Sequence, residues 1–277
     1  MNIHQSISLS PDSMVVALSF ALIAFVLYMR YERQCKMESF QIVIMYILGV
    51  LLSLYKIVYL PFCLLFFLIP KEKFKSNKNY IIHVITMITL VIVLNLGWLI
   101  ISQGFLIEFQ PGVNTAEQIK YILSNPFRYI YVLFCTIIDN GSYYFLTMLG
   151  SQMGWLDVYI NTSIMYIYAV LIIIISLYDE NNIEEDIVLK YFMIVVVLII
   201  ILLTFTSIYV QWTAVGDTTV SGIQVRYFIS LLVPFLIFSK SKNITIRENE
   251  NNIKYIYMAA IGVNICVFIT LLYRYLI

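Results

Sequence analysis

The sequence predicts an all-α fold: a polytopic transmembrane helix bundle of about six full spans with two broken or re-entrant helix hairpins. Residues 1–277 read as a single integral membrane domain. Three observations lead there. Hydrophobic residues make up 61% of the chain and charged residues 12%, outside the range of water-soluble domains of this length. The apolar residues fall in long unbroken runs rather than amphipathic stripes, and within a bilayer only helices or closed barrels satisfy the backbone. The basic residues gather in the gaps between runs, biased to one side.

Met14–Met29 is the first span, followed at once by Arg30, Arg33 and Lys36. Two short runs come next, Phe40–Tyr55 and Val58–Ile69, interrupted by Lys56 and followed by Lys71, Lys73, Lys75 and Lys78. Positive charge on both sides predicts a hairpin that enters from the cytoplasmic face and returns, with Lys56 near its tip and Pro61 kinking the second arm. At 1.5 Å per residue each arm is roughly 18–24 Å long.

Tyr80–Ser102 is a full span running outward. In the outer loop Gly104–Asn125, Asn114 caps a short helix, with Glu117 placed three residues later as in a capping box. Ile119, Ile122 and Leu123 share one face, the pattern of a helix lying on the membrane surface. Phe127–Leu149 is apolar but interrupted by Asp139-Asn-Gly141, which predicts a second broken hairpin or an interfacial helix pair on the outer face. Gly150–Asp157 is a loop, Val158–Leu177 a span, Asp179–Asp186 an acidic loop and Tyr191–Val210 a span. A polar loop with Gly216 and Gly222 leads into an apolar run that ends before Lys240 and Lys242. Counting back about 20 residues puts the start of that helix near Val220. Tyr255–Tyr273 is the last span.

This order puts 12 of the 17 basic residues on the cytoplasmic side and Trp98, Trp155 and Trp212 at the outer boundary. Six carboxylates also fall outside, Asp12, Glu108, Glu117, Asp139, Asp157 and Asp217, so a site is expected on the outer face. A net charge of +1 argues against a nucleic-acid partner. Four scattered cysteines with His4 and His83 make no metal-ligand spacing, so no metal and no cofactor are expected. Met1–Ser13 has no lysine or arginine and does not read as a signal peptide. Arg226 lies several residues inside an apolar run. A charge at that depth costs at least ~2.5 kcal/mol unless it snorkels to water or meets an anion. It reads either as a snorkelling arginine or as a phosphate site.

Four stretches carry a family resemblance: Lys56-Ile-Val-Tyr-Leu-Pro61 leading to Ile69-Pro70, Gln118-Ile-Lys-Tyr-Ile-Leu-Ser-Asn-Pro126, Gly150-Ser-Gln-Met-Gly-Trp-Leu-Asp157, and Gly222-Ile-Gln-Val-Arg-Tyr-Phe228. In this order they resemble the successive motifs of the DUF2142 family, bacterial polytopic membrane proteins of unknown function related in fold to GT-C glycosyltransferases. The chain departs from the family pattern at Val225, where a glycine is expected. The resemblance also implies further spans and a long outer loop ahead of the matched region, where GT-C enzymes carry their catalytic aspartate. The chain therefore reads as the C-terminal portion of a GT-C-like membrane domain, and no catalytic residue is assigned.

The implied partners are the lipid bilayer and a polyprenyl-phosphate-linked sugar, bound at the extracytoplasmic face of the cell membrane for cell-surface glycan assembly. Arg226 and Lys56 would hold the lipid phosphate, a role suited to a permanently charged planar guanidinium. Asp139 and Asp157 would hydrogen-bond sugar hydroxyls, Trp155 would offer a stacking face, and Gln224 and Tyr227 flank Arg226 in the same substrate site. One alternative is a lipid or solute transporter or flippase, since interrupted hairpins from opposite faces are a transporter feature. Against it stand the lack of an internal repeat and of buried acids in the full spans. A second alternative is a non-catalytic truncated homologue.

Overall fold

Apolar runs with every backbone group paired internally give helices almost throughout. The computed structural model describes residues 11–102, 112–153, 158–177, 186–239 and 250–276. In chain order the elements are α1 (Pro11–Tyr31), α2 (Ser39–Tyr55), a 3₁₀ segment (Ile57–Leu68), a 3₁₀ turn (Lys71–Lys73), α3 (Asn77–Ser102), α4 (Thr115–Ser124) and α5 (Pro126–Leu149). A two-stranded hairpin follows, β1 (Gln152–Met153) and β2 (Val158–Tyr159), then α6 (Thr162–Leu177) and α7 (Ile187–Gln211). A 3₁₀ segment (Val225–Leu231), α8 (Leu232–Ser239) and α9 (Glu250–Leu276) complete the described chain. Among the described residues, five helices are long and apolar enough to cross a membrane: α1, α3, α5, α7 and α9.

The largest buried cluster joins α1, α2, the Ile57–Leu68 segment, α3 and α7 through Leu22, Met45, Phe62, Phe66, Met87 and Ile200. Its two ends are marked by charge. The eighteen steps from Asp12 to Arg30 rise about 27 Å along α1. Asp12 pairs with Lys56, at the break between α2 and the 3₁₀ segment, and Arg30 pairs with Asp186 and donates to the Leu68 carbonyl, where that segment ends. The expected hairpin therefore exists and its tip reaches the far end of α1. Lys56 is extended (φ −154°, ψ 114°), and the returning arm, with Pro61 inside it, is 3₁₀ rather than α. The arms touch at Gly49, whose carbonyl accepts from Cys63 Sγ at 3.7 Å. A Cβ there would lie 1.8 Å from Met87 Cε of α3, so the glycine permits a three-way approach.

The caps of two helices are local and legible. Asn114 Oδ1 accepts from Glu117 N at 3.1 Å and starts α4, as its sequence predicts. Asp186 Oδ1 accepts from Leu189 N at 3.0 Å and starts α7.

Three expectations are corrected. First, α5 runs unbroken from Pro126 to Leu149, through Asp139, Asn140 and Gly141. A glycine or aspartate inside a helix costs about 1 kcal/mol or less, whereas unpaired backbone in lipid costs several kcal/mol per group. The unbroken α5 also removes one of the two interrupted hairpins on which the transporter alternative leaned. α5 does not run alongside α7, however. Tyr129 Oη hydrogen-bonds Thr206 at 2.6 Å, while Tyr144, fifteen residues on, packs its ring against Phe205, at a 6.1 Å centroid distance. About 22 Å of α5 thus faces little more than one turn of α7, so the two helices cross.

Second, no helix starts near Val220. The chain stays in a loop to Gln224, with Gly216 at φ +77° and Gly222 at φ +83°. Its amides bond to side chains instead: Val220 N donates to Thr136 Oγ1 at 2.9 Å and Ser221 N to Thr213 Oγ1 at 3.1 Å. Third, Val158 begins a strand and not a span. β1 and β2 pair antiparallel, with Gln152 opposite Tyr159, and α6 starts only at Thr162.

An ionic centre at the Asp12 end of the bundle

Asp12 lies in the first turn of α1, where a carboxylate faces the positive end of the helix dipole. Its side chain is 4% exposed and faces two cations. Lys56 Nζ sits on Oδ1, and Arg226 Nε lies 2.7 Å from Oδ2. The second contact is ionic rather than a hydrogen bond, because the buried Nε–H is not aimed at the oxygen. The ends of two helical runs put these cations there. Lys56 stands where α2 stops, and Arg226 is the second residue of the 3₁₀ segment after the Trp212–Gln224 loop.

A polar shell completes the centre. The Arg226 guanidinium also donates to Gln224 Oε1, which accepts a second bond from Tyr227 Oη at 3.0 Å. Lys56 Nζ lies 3.6 Å from the centroid of the Tyr227 ring, a cation–π contact. Tyr59 Oη donates to the Tyr227 carbonyl at 2.6 Å, tying the returning arm of the hairpin to the same segment.

Of the residues the sequence singled out, Lys56, Gln224, Arg226 and Tyr227 converge here. Asp139 does not: it is exposed on α5 and its electrostatic neighbour is Tyr131. Trp155 and Asp157 lie outside the described residues. Asp12 was recognisable from sequence as an outer-face carboxylate but not as the partner of both cations. The available signal was its depth, since it opens the first span at the level that the hairpin count gives Lys56. Arg226 is therefore not a bare cation awaiting a ligand; an internal carboxylate orients it.

One carboxylate cannot balance two cations. The opposite end of the bundle offers the contrast: Arg30 Nε donates to Asp186 Oδ2 at 2.6 Å, one cation to one anion. Among the described residues the Asp12 centre carries a formal excess of one positive charge, with the side chains of Arg226 and Lys56 still 35% and 23% exposed. A partly exposed excess of positive charge can attract an anion. The chain just after Arg226 helps wall a cavity of about 330 Å³ lined by apolar and aromatic side chains, including Phe228, Leu231 and Phe235, with Phe205 from α7 and Phe145 and Met148 from α5.

Fold and site together define a multi-helix membrane protein with an ionic centre at Asp12 and an apolar cavity along the chain that follows Arg226. Among the described residues no group of three or more His, Cys, Asp or Glu could hold a metal ion. The chain belongs to the DUF2142 family of predicted membrane proteins, whose family model matches residues 1–235 and so includes Asp12, Lys56 and Arg226. No curated protein and no solved structure matches it.

Proposed function

We propose that the chain binds a polyprenyl-phosphate-linked sugar at the extracytoplasmic face of the cell membrane, in the manner of the GT-C glycosyltransferases it resembles, and serves in cell-surface glycan assembly. The observation that carries the reading is the charge count: among the described residues Lys56 and Arg226 share the one carboxylate of Asp12, which leaves one positive charge for a lipid phosphate. The apolar cavity beginning two residues after Arg226 supports it, because a phosphate bound there would have its hydrocarbon chain beside an unfilled apolar space. Trp98 and Trp212 near the same end of the bundle, with most of the described basic residues toward the other, support the assignment of faces. Asp12, engaged on both oxygens, acts in this reading as a positioning residue that aims the two cations.

The test is polyprenyl-phosphate binding to purified protein in nanodiscs. Arg226→Ala is expected to weaken binding at least about tenfold, the worth of a charge-assisted contact, while Arg226→Lys keeps part of it. Unchanged binding in a folded Arg226→Ala protein contradicts the reading.

A further inference from the structure

A second cavity, of about 590 Å³, opens between the C-terminal part of α5 and the β1–β2 hairpin, and its chemistry differs from that of the ionic centre. α5 ends at Gly150 (φ +112°), whose N–H bonds Thr147 O at 3.0 Å while Ser151 N bonds Leu146 O at 3.1 Å. This turn directs Ser151 and Gln152 into β1, opposite Tyr159 of β2. Ile160 N then donates to Ser151 O at 2.9 Å and closes the base of the hairpin, so that Asn161 and Thr162 stand at the same wall.

The lining presents two tyrosine rings and a set of neutral hydrogen-bonding groups. Tyr143 and Tyr159 are 40% and 69% exposed. Gln152 Oε1 accepts from Tyr143 Oη at 3.0 Å, and Asn161 Oδ1 accepts from Ser163 N at 2.9 Å. These bonds fix both amides, and the Gln152 and Asn161 amide nitrogens and the Ser151 and Thr162 hydroxyls have no partner among the described residues. Among the described residues that line it none is charged, so they offer an anion no cation and a cation no carboxylate. A hydrocarbon chain would strip water from four polar side chains without replacing its hydrogen bonds. What matches is a molecule with many neutral hydroxyls and an apolar face for a ring: a saccharide.

We propose that this cavity is a binding subsite for a neutral saccharide, with Tyr159 and Tyr143 as ring platforms and Gln152 and Asn161 as hydroxyl readers. It does not depend on the phosphate reading. Tyr143 is the neighbour of Tyr144, whose ring packs on Phe228 two residues from Arg226, so the sugar could be carried on a lipid bound there or belong to a separate glycan.

The test is saturation-transfer NMR on the protein in nanodiscs free of glycosidic detergent, with neutral tri- and tetrasaccharides of glucose, galactose, mannose and N-acetylglucosamine as probes. A sialylated trisaccharide serves as the acidic control, and a polyprenyl-phosphate-linked monosaccharide as the lipid-borne arm. At least one neutral sugar, free or lipid-borne, is expected to bind. Tyr159→Ala and Gln152→Ala should each weaken it about tenfold or more, and Tyr159→Phe should retain it. Signal from a free saccharide identifies a glycan as the occupant. Signal confined to the lipid-linked sugar, and lost in Tyr159→Ala, identifies the lipid-borne one. Absence of any neutral-sugar binding overturns the proposal, as does binding indifferent to both Tyr159→Ala and Gln152→Ala, or a preference for the sialylated control.

Discussion

Arg226 Nε lies 2.7 Å from Asp12 Oδ2, which joins the 3₁₀ segment after the Trp212–Gln224 loop to the first turn of α1. Because Lys56 occupies the other carboxylate oxygen, three parts of the chain distant in sequence meet on one side chain: α1, the hairpin tip and the segment leading into α8. The same contact keeps two cations side by side, which their mutual repulsion would otherwise oppose.

Replacing the carboxylate should therefore harm the fold more than removing either cation. Asp12→Asn leaves two like charges facing each other without an anion, and breaking a buried pair from one side costs about 3–5 kcal/mol. The low end applies here because both cations are partly exposed. Arg226→Ala leaves the Lys56–Asp12 pair balanced and should cost less. Thermal unfolding in nanodiscs should rank the variants wild type, Arg226→Ala, Asp12→Asn in falling stability; the reverse order for the two variants is incompatible with this picture.

At the opposite end Asp186 has two tasks, pairing with Arg30 and capping α7. Asparagine can cap but carries no charge. Asp186→Asn should thus destabilise less than Asp186→Ala, by about 1 kcal/mol, the usual worth of an N-cap. Equal unfolding midpoints for the two variants would show that the cap contributes nothing.

Much of this architecture is legible in the sequence, and the failures share a cause. The Lys56 hairpin tip and the Asn114-capped α4 are readable because their signals are local: a charge between two apolar runs, and a cap three residues before its glutamate. The apparent break at Asp139-Asn-Gly141 is also a local signal, but it is worth only about 1 kcal/mol per residue against the cost of opening a helix in lipid. The missing helix start at Val220 depends on the Thr136 hydroxyl, eighty-four residues away, taking the amide that a helix would have used. The pairing of Asp12 with both cations is likewise a matter of three dimensions; sequence alone gives its depth but not its partners.

A fully buried side-chain amide helps hold loop Trp212–Gln224. Gln118 of α4 donates from Nε2 to Tyr209 O at 3.2 Å and accepts from Gly216 N at 2.9 Å through Oε1. Gln118→Leu removes both partners and leaves the Gly216 amide unpaired, a loss of about 1–3 kcal/mol. The loop should then open before the bundle melts. Hydrogen exchange at residues 213–221 is expected to accelerate in Gln118→Leu while exchange in α1 and α7 stays as in wild type.

Gly222 needs both its positive φ and its missing Cβ. At φ +83°, a Cβ would lie 2.1 Å from Cδ1 of Trp212. Gly222→Ala should therefore destabilise the protein and displace the indole. Because the clash is with that ring, the cost should be smaller in a Trp212→Ala background than in wild type. Additive effects in the double-mutant cycle would contradict the contact.

On the proposed reading, the excess positive charge at Asp12, Lys56 and Arg226 selects the phosphate of an anionic isoprenoid lipid. Native mass spectrometry of the wild-type protein, offered equal amounts of a polyprenyl phosphate and the matching polyprenol, tests it most directly. The account predicts a bound adduct for the phosphate, at least about tenfold more than for the alcohol, as expected when one charge-assisted contact is lost. Equal binding of the two lipids would contradict it.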